Sequence, residues 1–180
     1  MKKITRSLGF TLVELMVVIS VIGILSSIVY ANFGSARASA RDDIRKSALK
    51  EVQLAIVLYK AQYGNYPPSG CSAGSNVWTG PGPVGTFPNG VTCDMYIAGL
   101  LPDFIAQLPL DPNRENEPGI GYYYQSDGVS YKLLSNAIEK KFIASYLDDY
   151  ARCIGQGGGC AAVTPPTAEY AVYSSGGAQW

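Results

Sequence analysis

Gly9-Phe10-Thr11-Leu12-Val13-Glu14-Leu15-Met16-Val17-Val18-Ile19-Ser20-Val21-Ile22-Gly23-Ile24-Leu25 is the stretch that decides the reading of this chain. A glycine closes a short basic opening, a phenylalanine starts an apolar run, and one acid, Glu14, sits inside it. Phe10 to Val29 carries that single charge. At about 1.5 Å rise per residue, a helix of this run is roughly 30 Å long, the thickness of a bilayer's hydrocarbon core. Lys2, Lys3 and Arg6 precede the run, which predicts a cytoplasmic flank and a chain that continues outside. A cleaved secretory signal is the competing reading. Ala38-Ser39-Ala40 has the small-x-small form of its cleavage site, but lies well beyond Val29 and behind Arg37.

Glu14 is the informative residue. A carboxylate deep in a membrane helix costs about 2.5–3.5 kcal/mol on insertion scales. One reading makes it a first-turn acid near the interface, favoured by the helix dipole. The other gives it a cationic partner. A cut after Gly9 would place a new ammonium on Phe10, one helical turn away. The amine of a neighbouring subunit, displaced along a filament axis, is a less strained partner, and that pairing would set the register between helices.

Gly9 followed by Phe10-Thr11-Leu12-Val13-Glu14-Leu15 resembles the class III signal of type IV pilins and type II secretion pseudopilins. The resemblance covers the leader and the apolar run. It implies a prepilin peptidase that cuts between Gly9 and Phe10 and N-methylates Phe10. It implies that Glu14 serves subunit recruitment and assembly. The implied partners are copies of the chain itself, the peptidase/methyltransferase, an inner-membrane assembly platform and, before assembly, membrane lipid. Many pilins carry a proline near the end of the membrane-embedded half of their helix. Val29-Tyr30-Ala31-Asn32-Phe33-Gly34 has none, leaving Gly23 and Gly34 as the weak points, each about 1 kcal/mol less favourable than alanine.

The composition bounds the rest. A chain of 180 residues holds one soluble domain beside an anchor. Fourteen basic and fourteen acidic residues cancel, so no general attraction to nucleic acid follows and no specific nucleic acid is expected. Histidine is absent, which removes the commonest general base and zinc ligand.

Ile44, Ala48, Val52, Ala55, Tyr59 and Tyr63 recur at three- and four-residue steps and predict that the helix continues with an apolar face. Arg37, Arg41, Arg45, Lys46, Lys50 and Lys60 fall largely elsewhere, on a face expected to be solvated or paired with a neighbour. Gly64 is a candidate C-cap and Pro67-Pro68 forbid continuation. One helix from Phe10 to Tyr63, about 80 Å long, follows. Pro68 to Asp94 reads as a loop rich in turn residues. Tyr96–Leu101 and Pro102–Leu108 read as short helical turns, with Pro102 near a helix start. Two β-prone runs, Gly121–Gln125 and Ser130–Leu134, flank Ser126-Asp127-Gly128 and predict a hairpin. Ala137 to Ile154 leans to a short helix, and Tyr170–Tyr173 to a late strand of the same antiparallel sheet. Tyr63-Gly64-Asn65-Tyr66-Pro67 and the segment from Leu100 to Pro112 are similar to the helix end and the linker before the sheet in pilins and pseudopilins.

Four cysteines allow three pairings. An exported domain favours disulfides over zinc, and the expected bonds are the two local ones, Cys71–Cys93 and Cys153–Cys160. Major pseudopilins bind calcium beside their hairpin. Asp111, Asn113, Glu115, Glu117 and Asp127 supply oxygens of that kind, but the turn Asn113-Arg114-Glu115-Asn116-Glu117-Pro118 departs from the family's pattern. No ligands are assigned, and the expected cofactor is none, with calcium the one candidate. No nucleophile–base pair, phosphate loop or metal signature marks an enzyme. Asp148 and Asp149 are adjacent and point apart on a helix.

The expected fold class is α+β, the pilin or ladle fold: a long N-terminal helix with a small antiparallel sheet packed on its outer half. The expected segments are a leader (1–9), the membrane and filament-core half of the helix (10–29), its amphipathic half (30–64) and a loop-rich head (65–180). The expected function is the subunit of a type IV pilus-like filament. It starts as a single-pass inner-membrane precursor with its head outside the cytoplasm and ends in an extracellular or periplasmic filament. A secretion pseudopilin and a signal-anchored binding domain that never polymerises are the alternatives.

Overall fold

In the computed structural model of the chain, residues 10–71, 74, 77–81, 90–115, 119–136, 150 and 169–179 are described, with the side chains of all of these except 28, 29, 31, 32, 178 and 179. The chain divides into two compact units, Met1–Arg37 and Ala38–Trp180. Helix α1, Leu12–Tyr63, runs through both.

In the first unit α1 is apolar on every side. Leu12, Val13, Leu15, Met16, Val17, Ile19, Ile22, Ile24 and Leu25 are all exposed. Ser20 and Ser27 return their hydroxyls to the carbonyls of Met16 and Ile24, so these two hydroxyls are satisfied within the helix. Among the described residues, no helix is long and apolar enough to cross a membrane.

The second unit is α+β. Beside the outer part of α1 it contains β1 (Thr79–Gly80), β2 (Val91–Thr92), β3 (Tyr122–Ser126), β4 (Tyr131–Ser135) and β5 (Tyr170–Tyr173) in the order β2-β1-β3-β4-β5. The β3–β4 hairpin is in full register from Tyr122↔Ser135 to Ser126↔Tyr131. Its turn is closed by Asp127, whose Oδ1 accepts from the amides of Val129 and Ser130, and by Gly128 at φ +85°. With a long N-terminal helix and a five-stranded sheet, the arrangement is consistent with a pilin fold.

Strand alternation divides the sheet between two cores. Tyr122, Tyr124, Tyr131, Leu133, Tyr170 and Val172 pack with Leu49, Val52, Ala55 and Ile56 of α1, and with Tyr96, Ile97, Leu100 and Ile105. Trp78, Tyr123, Leu134 and Ala171 form a second cluster. Each fully buried aliphatic here stabilises the unit by about 1.5–3 kcal/mol. Lysine stems add to the attachment of α1: the ammonium of Lys46 lies 4.9 Å from the Tyr170 ring centre, Lys50 5.5 Å from Tyr150 and Lys60 3.8 Å from Tyr66.

The structure corrects several expectations. The sheet is mixed, because β1 and β2 pair in parallel, and both strands lie in the stretch expected to be loop. Residues 96–108 form turns and no helix: the Leu100 carbonyl accepts from Phe104 and Ile105 and the turn is not propagated. Pro102 follows a cis peptide bond and starts no helix. The expected face of α1 is buried at Ala48, Val52 and Ala55, with Tyr59 packed against it, but not at its two ends. Ile44 (52% exposed) and Tyr63 (54%) face outward, whereas Asp42, Arg45, Leu49 and Ile56 are fully buried. The helix starts at Leu12 and ends, as the glycine signal has it, at Gly64, whose φ is +83° and whose amide bonds the Lys60 carbonyl. The helix expected within 137–154 lies almost wholly outside the described residues.

Candidate processing and assembly site

The N-terminus of α1 leaves amides without helical partners. Thr11 and Glu14 satisfy two of them reciprocally. The Glu14 amide donates to Thr11 Oγ1 at 3.2 Å, and the Thr11 amide donates to Glu14 Oε2 at 2.9 Å. The Thr11 hydroxyl also donates to Oε2, at 2.8 Å. This is a capping box, legible in Thr11-Leu12-Val13-Glu14 as the pattern Thr-x-x-Glu but unread there, because Glu14 drew attention as a charge in an apolar run. Both bonds fall on Oε2, so Oε1 accepts from none of the described residues. Phe10, 88% exposed, stands immediately before this cap. The arrangement offers a fixed carboxylate with one oxygen available to a donor, one turn from Phe10. Gly9 lies outside the described residues.

The remaining predicted site residues lie in the second unit. Cys71 and Cys93 are disulfide-bonded, with Cα atoms 6.0 Å apart. Cys153 and Cys160 lie outside the described residues. Of the oxygen ligands weighed for calcium, Asp111 is buried and committed elsewhere: Oδ2 accepts from Arg45 Nε at 2.7 Å, and Oδ1 accepts from Arg45 Nη2 at 2.9 Å and from the Asn113 amide at 2.8 Å. Asp127 closes the hairpin turn, Glu115 sits in the turn that begins at Pro112, and Glu117 lies outside the described residues. Among the described residues no group of three or more acidic, histidine or cysteine side chains is poised to hold a metal.

Arg45 is the polar residue that sequence reasoning misplaced. Its Nη1 reaches Asp42 Oδ1 at 2.8 Å, so one guanidinium binds two buried carboxylates. Asp42 three residues earlier was the available signal. Around this group burial raises the tyrosine hydroxyls. Tyr122 is raised by desolvation first and by Asp111 second. Tyr170 is pushed up to about 12 by desolvation, then by Asp42 and Asp43.

No curated protein and no solved structure matches the chain. Residues 4–30 match the prokaryotic N-terminal methylation motif, and the chain therefore carries the class III signal of type IV pilins and pseudopilins.

Proposed function

We propose that this chain is the subunit of a type IV pilus-like filament, made as a membrane-anchored prepilin. The observation that carries the reading is the methylation motif over residues 4–30, in which Gly9, Phe10 and Glu14 keep the required spacing. Prepilin peptidase cuts after Gly9 and methylates the new Phe10 amine. The run from Phe10 to Val29 holds the precursor in the inner membrane, head outward. Subunits leave the bilayer as their helices bundle, driven by burial of the apolar side chains that α1 exposes between Leu12 and Leu25. Glu14 offers its uncommitted oxygen to the Phe10 ammonium of a neighbour. The pair removes a charge that costs about 2.5–3.5 kcal/mol in an apolar setting and fixes the helix register.

Intact and N-terminal peptide mass spectrometry on membrane and sheared fractions tests this reading. A sheared chain that begins at Phe10 with one added methyl group is the expected result. A chain that retains Met1–Gly9, or one that begins at Arg41, overturns it.

A further inference from the structure

Two surface features of α1 remain without a role. The first is a groove of about 400 Å³ lined by Asp43, Ile44, Ser47, Ala48, Glu51 and Pro109. Its floor is apolar, and Ile44 is half exposed there. Its acids, Asp43 and Glu51, are exposed and make no ion pair among the described residues. The second feature lies in the other unit. The guanidinium carbon of Arg37 sits 5.2 Å from the centre of the Phe33 ring. Both residues are exposed, and Arg37 has no carboxylate partner among the described residues.

We infer that the Phe33–Arg37 pair of one copy docks in the Asp43–Glu51 groove of a second copy. The chemistry matches on both counts. A flat ring meets the Ile44, Ala48 and Pro109 floor, and a guanidinium meets two carboxylates that have no ion-pair partner among the described residues. Knob and groove are different surfaces, so the contact is heterologous: each copy offers a free groove and a free knob after binding. Such an interface propagates into a chain of subunits unless rotation closes it. The inference rests on the filament reading and adds to it a contact beyond the apolar run and Glu14.

The test is made in the full-length chain expressed with its assembly machinery, scoring sheared filament yield at equal membrane levels. Arg37→Glu and Glu51→Arg are each expected to lower yield about tenfold, since like charges then face each other. The double variant restores opposite charge and recovers yield. In a separate variant carrying Ala36→Cys and Ser47→Cys, which keeps Phe33 and Arg37, assembled filaments are expected to give covalent ladders on mild oxidation. Full yield from the single variants, no recovery in the double, or filaments without ladders each overturns the docking contact while leaving the filament reading standing. Absence of filaments from the wild-type chain overturns the filament reading itself.

Discussion

Arg45 of α1 grips Asp111 across 66 residues of chain, with Nε on Oδ2 at 2.7 Å and Nη2 on Oδ1 at 2.9 Å, both side chains fully shielded from water. With Asp42 on Nη1, the group holds two negative charges against one positive charge. Removing the cation would leave two buried carboxylates without the guanidinium they share. Arg45→Met is expected to cost about 3–5 kcal/mol, read as a lower denaturation midpoint of the head. Asp111→Asn, which keeps an acceptor, should cost less.

The Cys71–Cys93 bond closes a segment with a sequence separation of 22 that contains both β1 and β2. Chain-entropy arguments give such a loop about 3 kcal/mol. Cys71→Ser is therefore expected to lower the melting temperature of the head by several degrees. Amide exchange should quicken first at Val91 and Cys93, whose amides bond the Trp78 and Gly80 carbonyls.

Buried tyrosines set the alkaline limit of stability. Tyr96, Tyr122, Tyr124 and Tyr131 are all raised, with desolvation the leading cause, and Tyr170 is raised to about 12. The unfolded chain ionises its tyrosines near pH 10, while the folded chain keeps these protons. Stability is thus fully present below about pH 10 and falls as pH rises from there towards and beyond 12. The last part of the tyrosinate absorbance, that of the buried tyrosines, should appear together with the loss of far-ultraviolet dichroism. Ionisation of the full set of tyrosines without loss of structure would contradict the burial seen here.

At the other end of the molecule, the Thr11–Glu14 box gives a separable pair of expectations. Thr11→Val removes the cap and should weaken the first turn by about 1 kcal/mol, seen as faster amide exchange at Val13 and Glu14; Thr11→Ser should restore protection. Glu14→Ala is expected to leave the protein processed and membrane-bound while sheared filament yield collapses. Normal yield from that variant would remove Glu14 from assembly.

What the sequence disclosed, it disclosed where local chemistry is strong. The glycine at 64 and the prolines after it ended α1, and Asp127-Gly128 between tyrosine-rich runs located the hairpin. Tyr170–Tyr173 was legible as a strand from its β-prone residues. Strands β1 and β2 escaped because two residues carry no period, and because their pairing depends on a bond between cysteines on either side. The buried face of α1 was legible at Ala48, Val52 and Ala55, but its buried arginine was not. An arginine was read as solvent-facing, and only Asp111, far along the chain, makes its burial tolerable. The signal around Gly9, Phe10 and Glu14 was legible as a resemblance, and the matched motif spans residues 4–30; Thr11 as the local partner of Glu14 required the coordinates.

The position of β5 has a consequence for biosynthesis. Residues 170–173 pair with β4 and cover the part of α1 that holds Lys46, yet they are translated more than a hundred residues after that helix. Until they arrive, Leu49, Val52 and Ile56 lack part of their cover. Contacts so distant in sequence slow the final closure. The apolar face of the nascent helix therefore stays partly uncovered until nearly the whole chain has been made.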